Sequence, residues 1–167
     1  IYSGIIIEET LSQLSGLEIR LKWPNDIMIN AKKCGGILTR ILWQGESATT
    51  AIIGIGINLN HAVADFPDSM KETATSLKLS GWPSPDLKAI LDLLISNFFE
   101  QMETLDQQNV LVDRWNKSAF KLFETVHWEG DEKIYKGQFL GISQDGRAQI
   151  KIGNRIQSFS NGEIHLT

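Results

Sequence analysis

The sequence predicts an α+β fold: a mixed, mainly antiparallel sheet with helices on one side, followed by a small C-terminal β-barrel. Three observations carry this expectation. A helical stretch near the start gives way to a run of short strands, a long amphipathic helix follows a proline-rich loop, and the texture changes again near Leu122 to short strands broken by turns. The domain division expected from these shifts is residues 1–121 and residues 122–167.

Ile7, Leu11 and Leu14 recur at helical spacing from Tyr2 to about Leu14, and Ser15-Gly16 stops that helix with a residue suited to the left-handed cap. Leu17, Ile19 and Leu21 alternate with Glu18, Arg20 and Lys22, the pattern of a half-buried strand, which Pro24 ends. Ile27 to Ile29 and Gly36 to Trp43 read as the next strands, with a turn at Asn30 to Lys33 between them. The β-branched, apolar stretch Thr49 to Asn58 reads as a strand for the sheet centre. Asn60 to Pro85 is loop-rich, with one or two helical turns expected within Glu72 to Leu79. Ser84-Pro85 reads as a helix start, and Leu87, Ile90, Leu91, Leu94, Ile95 and Phe98 give one apolar face to a helix reaching about Leu105. A further helix is expected from Val110 to Ser118. Beyond Leu122, strands at Val126–Trp128, Lys133–Ile142, Ala148–Ile152 and Arg155–Phe159 are separated by turn signals at Glu129-Gly130-Asp131, Asp145-Gly146 and Gly153-Asn154. This density of strands fits an SH3-like barrel.

Composition narrows the function classes. Sixteen Lys and Arg against 20 Asp and Glu leave a formal charge of −4, which argues against a general nucleic-acid binder. The single cysteine, Cys34, excludes an intrachain disulfide and fits a reducing, cytoplasmic setting. The apolar runs are too short for a membrane span, and Ile5-Ile6-Ile7 lacks a basic leader. His61, His127 and His165 are scattered, so no protein-held metal is expected. Starting at Ile1 suggests a partial chain, with no room for a DNA-binding helix-turn-helix.

The motifs are Lys22-Trp23-Pro24-Asn25-Asp26, then Lys33-Cys34-Gly35-Gly36-Ile37-Leu38, then Gly54-Ile55-Gly56-Ile57-Asn58. Taken singly each has a plain reading: Pro24-Asn25-Asp26 as a turn, Lys32-Lys33 as a solvated hairpin tip, Asn58 as a strand-end cap. Gly54 and Gly56 are no dinucleotide fingerprint, because no third glycine opens a helix. In this order and spacing, with Lys33 seven residues after Asp26, the motifs resemble those of the biotin–protein ligases. Ala74-Thr75-Ser76-Leu77 matches the same pattern, although it reads equally as a short surface helix.

The resemblance implies a class II synthetase-like catalytic domain, present in part, and an ATP-dependent activity that adenylates biotin. Transfer to a lysine of a biotin carboxyl carrier protein, a subunit of acetyl-CoA carboxylase, would follow. It implies Lys33 as the cation between carboxylate and phosphate, and Asp26 as the carboxylate that orients or deprotonates the acceptor amine. Lys22, Asn25, Gly35, Gly36, Ile37, Leu38, Asn58, Ala74 and Thr75 are implied to bind biotin or the adenylate. Mg²⁺ is expected to arrive with ATP, and a homodimer through the sheet is possible on family grounds. The family's Gly-Arg-Gly-x-x-x-Arg loop has no match: Arg20 is the first arginine, and none lies between glycines. The chain is therefore expected to be the later part of the catalytic domain, to expose apolar sheet surface, and to be incompletely active alone. A lipoate or octanoyl transferase of related fold, or a non-catalytic binding module, are the alternatives.

Overall fold

The computed structural model describes residues 1–130 and 133–165. Helix α1 (Tyr2–Ser15) buries Ile5, Ile6, Ile7 and Leu11 and ends at Gly16, whose left-handed φ of 69° lets its N–H reach Ser12 O at 2.9 Å. Strands β1 (Arg20–Lys22), β2 (Asp26–Ile29), β3 (Lys32–Gln44) and β4 (Ser47–Ile57) form one sheet in the order β1-β2-β3-β4. Asn30 and Ala31, with φ of 49° and 61°, make the two-residue turn from β2 to β3.

Four sequence expectations change here. The ladders in this sheet are all antiparallel; parallel pairing is confined to the isolated bridges Leu21–Ala119 and Lys33–Ala74. The first strand begins at Arg20, not Leu17, and Lys22, expected on the wet face, is buried because the C-terminal sheet covers it. β4 is an edge strand rather than a central one, and most of it is exposed. Its β-branched composition therefore marks a stretch of sheet left bare on both faces, where Ile52 and Ile53 of β4 and Ile41 and Trp43 of β3 stand exposed. Residues 72–79 form turns, not helix, because their backbone pairs with Lys33 and Asn58 instead.

Helix α2 (Leu87–Glu100) starts two residues later than the Ser84-Pro85 signal predicts. Asp86 is its N-cap, accepting from Lys88 N–H at 2.8 Å, and a 3₁₀ segment, Met102–Asp106, replaces its expected last turn. Ile90 and Leu94 pack with Ile6, Ile7 and Leu11 over Ile27, Ile29 and Cys34 of the sheet, so both helices cover one sheet face. Helix α3 (Gln108–Lys117) follows, with Leu111 and Trp115 buried.

The remaining strands are β5 (Thr125–Gly130), β6 (Lys133–Ile142), β7 (Ala148–Ile152), β8 (Arg155–Phe159) and β9 (Glu163–His165). Their order is β8-β7-β6-β5-β9, an open antiparallel sheet. Among the described residues β8 and β9 do not pair, so the closed barrel expected from strand density is absent; β9 adds to β5 instead. Asp131 of the expected Glu129-Gly130-Asp131 turn lies outside the described residues. A second core joins the two parts of the chain: Ile5, Leu21, Trp23, Leu111 and Trp115 pack with Val126, Trp128, Phe139, Ile150 and Ile164. No helix among the described residues is long and apolar enough to cross a membrane.

Candidate active site

The β1–β2 hairpin places Lys22 directly opposite Asp26, and β2 pairs with β3 so that Asp26 faces Gly36 and Met28 faces Lys33. A register irregularity between Ile27 and Met28 swings Lys33 toward Asp26. Lys33 Nζ lies 2.5 Å from Asp26 Oδ1, and Lys22 Nζ lies 3.5 Å from Asp26 Oδ2. The two lysines differ in surroundings: the Lys22 side chain is 4% exposed and that of Lys33 46%. Lys33 is thus the cation free to meet a ligand, whereas Lys22 is fixed inside the protein.

Asn25 holds this hairpin against β3. Its carbonyl accepts from Ile37 N–H at 2.9 Å, while its side-chain amide donates to Ile37 O at 2.8 Å. Behind Lys33, the backbone of 73–75 runs alongside like an added strand: Lys33 N–H donates to Thr73 O at 2.7 Å and Thr75 N–H to Lys33 O at 2.9 Å. Asn58 ties the end of β4 to the same segment, donating its side-chain amide to Thr75 O at 3.0 Å. Lys33, Asn58, Ala74 and Thr75 therefore share one backbone junction.

Lys22, Asn25, Asp26, Ile37 and Leu38 line a cavity of about 280 Å³. Ala74 and Thr75 line another, of about 300 Å³, together with Lys32 and Lys71. The expected residues are thus split: five line one recess and two the other, while Lys33, Gly35, Gly36 and Asn58 line neither.

The β3–β4 register supplies a feature that the motifs alone did not single out. Gly36 pairs with Gly56 and Leu38 with Gly54, so these four positions share one sheet face. A Cβ added at Gly56 would meet nothing nearer than Gly36 O at 4.0 Å, and one at Gly54 nothing nearer than Leu38 O at 3.6 Å. The result is a floor of bare backbone beside the Lys33–Asp26 pair, bounded by Leu38, which is 73% exposed. Gly54 and Gly56 were legible as alternate glycines inside a β-branched strand, a pattern that marks close approach of a ligand or another backbone. Gly35 points the other way. Its added Cβ would run into Gly56 O, so the close approach of the neighbouring β4 backbone already accounts for that glycine.

Two further residues bear on the site: Trp23 of the first motif, and Glu163 of the Ser160–Ile164 segment, which resembles the closing strand of the ligase C-terminal domain and reads equally as a turn. Trp23 donates its indole N–H to Gly146 O at 3.0 Å and its ring packs on Trp128 at a centroid distance of 5.0 Å. Glu163 Oε1 lies 2.6 Å from Lys22 Nζ, and this hydrogen bond, opposed by partial burial, holds the Glu163 carboxyl below its ordinary range. Cys34 is structural: burial pushes its thiol up to about 12. Among the described residues no group of three or more His, Cys, Asp or Glu side chains is placed to hold a metal ion.

An open sheet with a cation, a buried carboxylate and a side-chain-free floor has the chemistry to receive an anionic or acyl ligand laid flat on backbone. Residues 4–58 match the biotin/lipoate A/B protein ligase family. The bifunctional ligase/repressor BirA of Bacillus subtilis is 26% identical over 166 residues, covering 98% of this chain and 51% of that protein. The biotin–[acetyl-CoA-carboxylase] ligase of Paracoccus denitrificans is 30% identical over 135 residues, covering 77% of this chain and 55% of its own. Among solved structures, the apo biotin protein ligase of Aquifex aeolicus superposes with a TM-score of 0.81 at 26% identity, covering 99% of this chain and 72% of that one. The same Aquifex enzyme has been solved with biotin and ATP; that structure superposes with a TM-score of 0.80 at 25% identity, covering 98% of this chain and 68% of that one. The chain spans about half the length of the curated relatives it matches.

Proposed function

We propose that this chain carries the acyl-adenylation and transfer site of a biotin–[acetyl-CoA-carboxylase] ligase. The observation that carries the reading is the Lys33–Asp26 pair beside the Gly36-Gly56-Gly54 floor. Biotin's fused rings would lie on the floor against Leu38, with the carboxylate directed toward Lys33. Joining a carboxylate to the α-phosphate of ATP brings two anions together, and a half-exposed ammonium between them lowers that repulsion in the transition state. Mg²⁺ would enter on the nucleotide's own phosphates and share the pyrophosphate charge, since the carboxylate nearest the site is already engaged by lysines. Asn25 and Asn58 act on the backbone, fixing β3 and the 73–75 segment around the nucleotide. In the second step the acceptor's lysine amine attacks the adenylate carbonyl, AMP leaves, and Asp26 takes the amine proton.

The acceptor would be a biotin carboxyl carrier protein, as in the relatives named for that reaction, and the setting cytoplasmic. Residues 1–121 would form the later part of the catalytic domain and 122–167 its C-terminal domain. Full turnover would require a Gly- and Arg-rich segment that this sequence lacks. The open β4 edge, with Ile52 and Ile53 beside it, is the surface proposed for a homodimer. The test is calorimetric titration of the purified chain with biotinol-adenylate and, in parallel, the lipoyl analogue. Preferential binding of the biotin compound supports the reading. Preferential binding of the lipoyl compound would move the chain to the lipoate branch, and no binding of either would overturn the proposed site.

A further inference from the structure

We propose that Glu163, on strand β9 of the C-terminal sheet, is a positioning residue that acts through Lys22 to keep one oxygen of Asp26 open for the incoming amine. The proposal rests on the transfer step described above. Glu163 reaches Lys22 from 141 positions away in the chain. The Lys22 ammonium is enclosed, and two carboxylates flank it: Glu163 Oε1 at 2.6 Å and Asp26 Oδ2 at 3.5 Å. Lys33 occupies the other Asp26 oxygen at 2.5 Å. The four side chains thus run Glu163, Lys22, Asp26, Lys33 with alternating charge and no net formal charge.

A buried ammonium demands a close anionic partner. With Glu163 present, that partner is Glu163, and Oδ2 of Asp26 stays beyond normal charge-assisted hydrogen-bond length. Without the Glu163 charge, Asp26 is the nearer remaining anion, and a shift of under about 1 Å brings Lys22 onto Oδ2. Both carboxylate oxygens would then be held by lysines. Transfer needs one of them: as the amine's C–N bond forms and the bond from carbonyl carbon to phosphate oxygen breaks, AMP departs with the electron pair and the amine proton goes to Oδ2. Nucleotide and biotin recognition, which use Lys33 and the glycine floor, do not need Oδ2.

The experiment supplies biotinyl-5′-adenylate to the chain with N-acetyl-lysine methylamide as amine, comparing wild type, Glu163→Gln, Lys22→Met and the double variant. Crystal structures of wild type and Glu163→Gln accompany it. Glu163→Gln is expected to slow transfer by at least about tenfold, the lower range of a lost general base. Adenylate affinity should change by less than about threefold, because Lys33 keeps its charge-assisted contact. The double variant should return to the rate of Lys22→Met, because the competing cation is gone, and Lys22 should sit on Asp26 Oδ2 in the Glu163→Gln crystal. A merely structural anchor would lower binding and transfer together and add to the Lys22 variant; that result, or an unmoved Lys22, overturns the proposal. No transfer by wild type would instead refute the ligase reading, and the crystal position of Lys22 would still decide whether Glu163 positions it.

Discussion

Lys33→Ala separates binding from folding, because the two lysines around Asp26 are so differently buried. The Lys33 side chain is 46% exposed and that of Asp26 10%, so the contact is worth about 0–1 kcal/mol, as at a surface, only while the buried carboxylate keeps its second lysine. Asp26 also keeps Lys22 at 3.5 Å after the substitution, so the buried carboxylate is not stranded. The expected loss in urea unfolding is therefore under about 1 kcal/mol. The expected loss in ligand affinity is larger, since a hydrogen bond to a charged group is worth about 1.5–3 kcal/mol, or about 10–150-fold in Kd. Calorimetric titration with biotinol-adenylate measures the second quantity, and a urea titration on the same sample measures the first. An unchanged Kd would refute the assignment of Lys33 to the ligand. A collapse in stability would refute the division of labour between the two lysines.

Five other outcomes follow from the same geometry. Gly35→Ala should destabilise the chain by about 1–3 kcal/mol in urea unfolding, because its Cβ drives β3 off the Gly56 carbonyl. Gly36→Ala should hardly change stability and should weaken adenylate binding, since its Cβ meets only contacts of 3.6–3.8 Å before rising into the floor. Glu163 has a depressed carboxyl in the folded chain, so its contribution is complete above the ordinary value of 4.5 and is lost as pH falls through the folded value. Glu163→Gln should accordingly flatten the acid side of a urea-midpoint profile, and an unchanged profile would contradict the pairing. Cys34 should resist alkylation at neutral pH until the chain unfolds, and Trp23→Phe should cost about 0.5–1.5 kcal/mol of stability through the lost bond to Gly146 O.

Much of the backbone was legible because periodicity and turn chemistry are local. The helix at Tyr2, its left-handed stop at Gly16, and the Asp145-Gly146 and Gly153-Asn154 turns follow from a few adjacent residues. What failed depended on tertiary partners. Thr49 to Asn58 has the composition of a central strand, yet nothing in its sequence says whether a neighbour lies on its outer side; the sheet ends there. Lys22 fits the polar half of an alternating strand until β9 arrives over it with Glu163. Strand density suggested closure of the C-terminal sheet, but closure depends on whether β8 meets β9, which spacing does not encode. At the site, the glycine floor was half-visible: Gly36, Gly54 and Gly56 all stood in motifs, but only the β3–β4 register shows that they share one face.

The Lys22-Trp23 pair ties a short sequence motif to a distant sheet. Adjacent residues on a hairpin edge send one side chain to the Glu163 carboxylate and the other to the Gly146 carbonyl and the Trp128 ring. Both partners lie in residues 122–167, whereas Asp26, three positions further on, faces Lys33 in the first sheet. The hairpin is therefore clamped from the C-terminal side and presents its carboxylate from the other. Because Leu21 and Trp23 also sit in the core shared with Val126, Trp128 and Ile164, a displacement of the C-terminal sheet cannot leave the hairpin where it is. The geometry of Asp26 is in this sense set by two cores at once, and the charge on Glu163 is the point where the second core reaches the chemistry of the first.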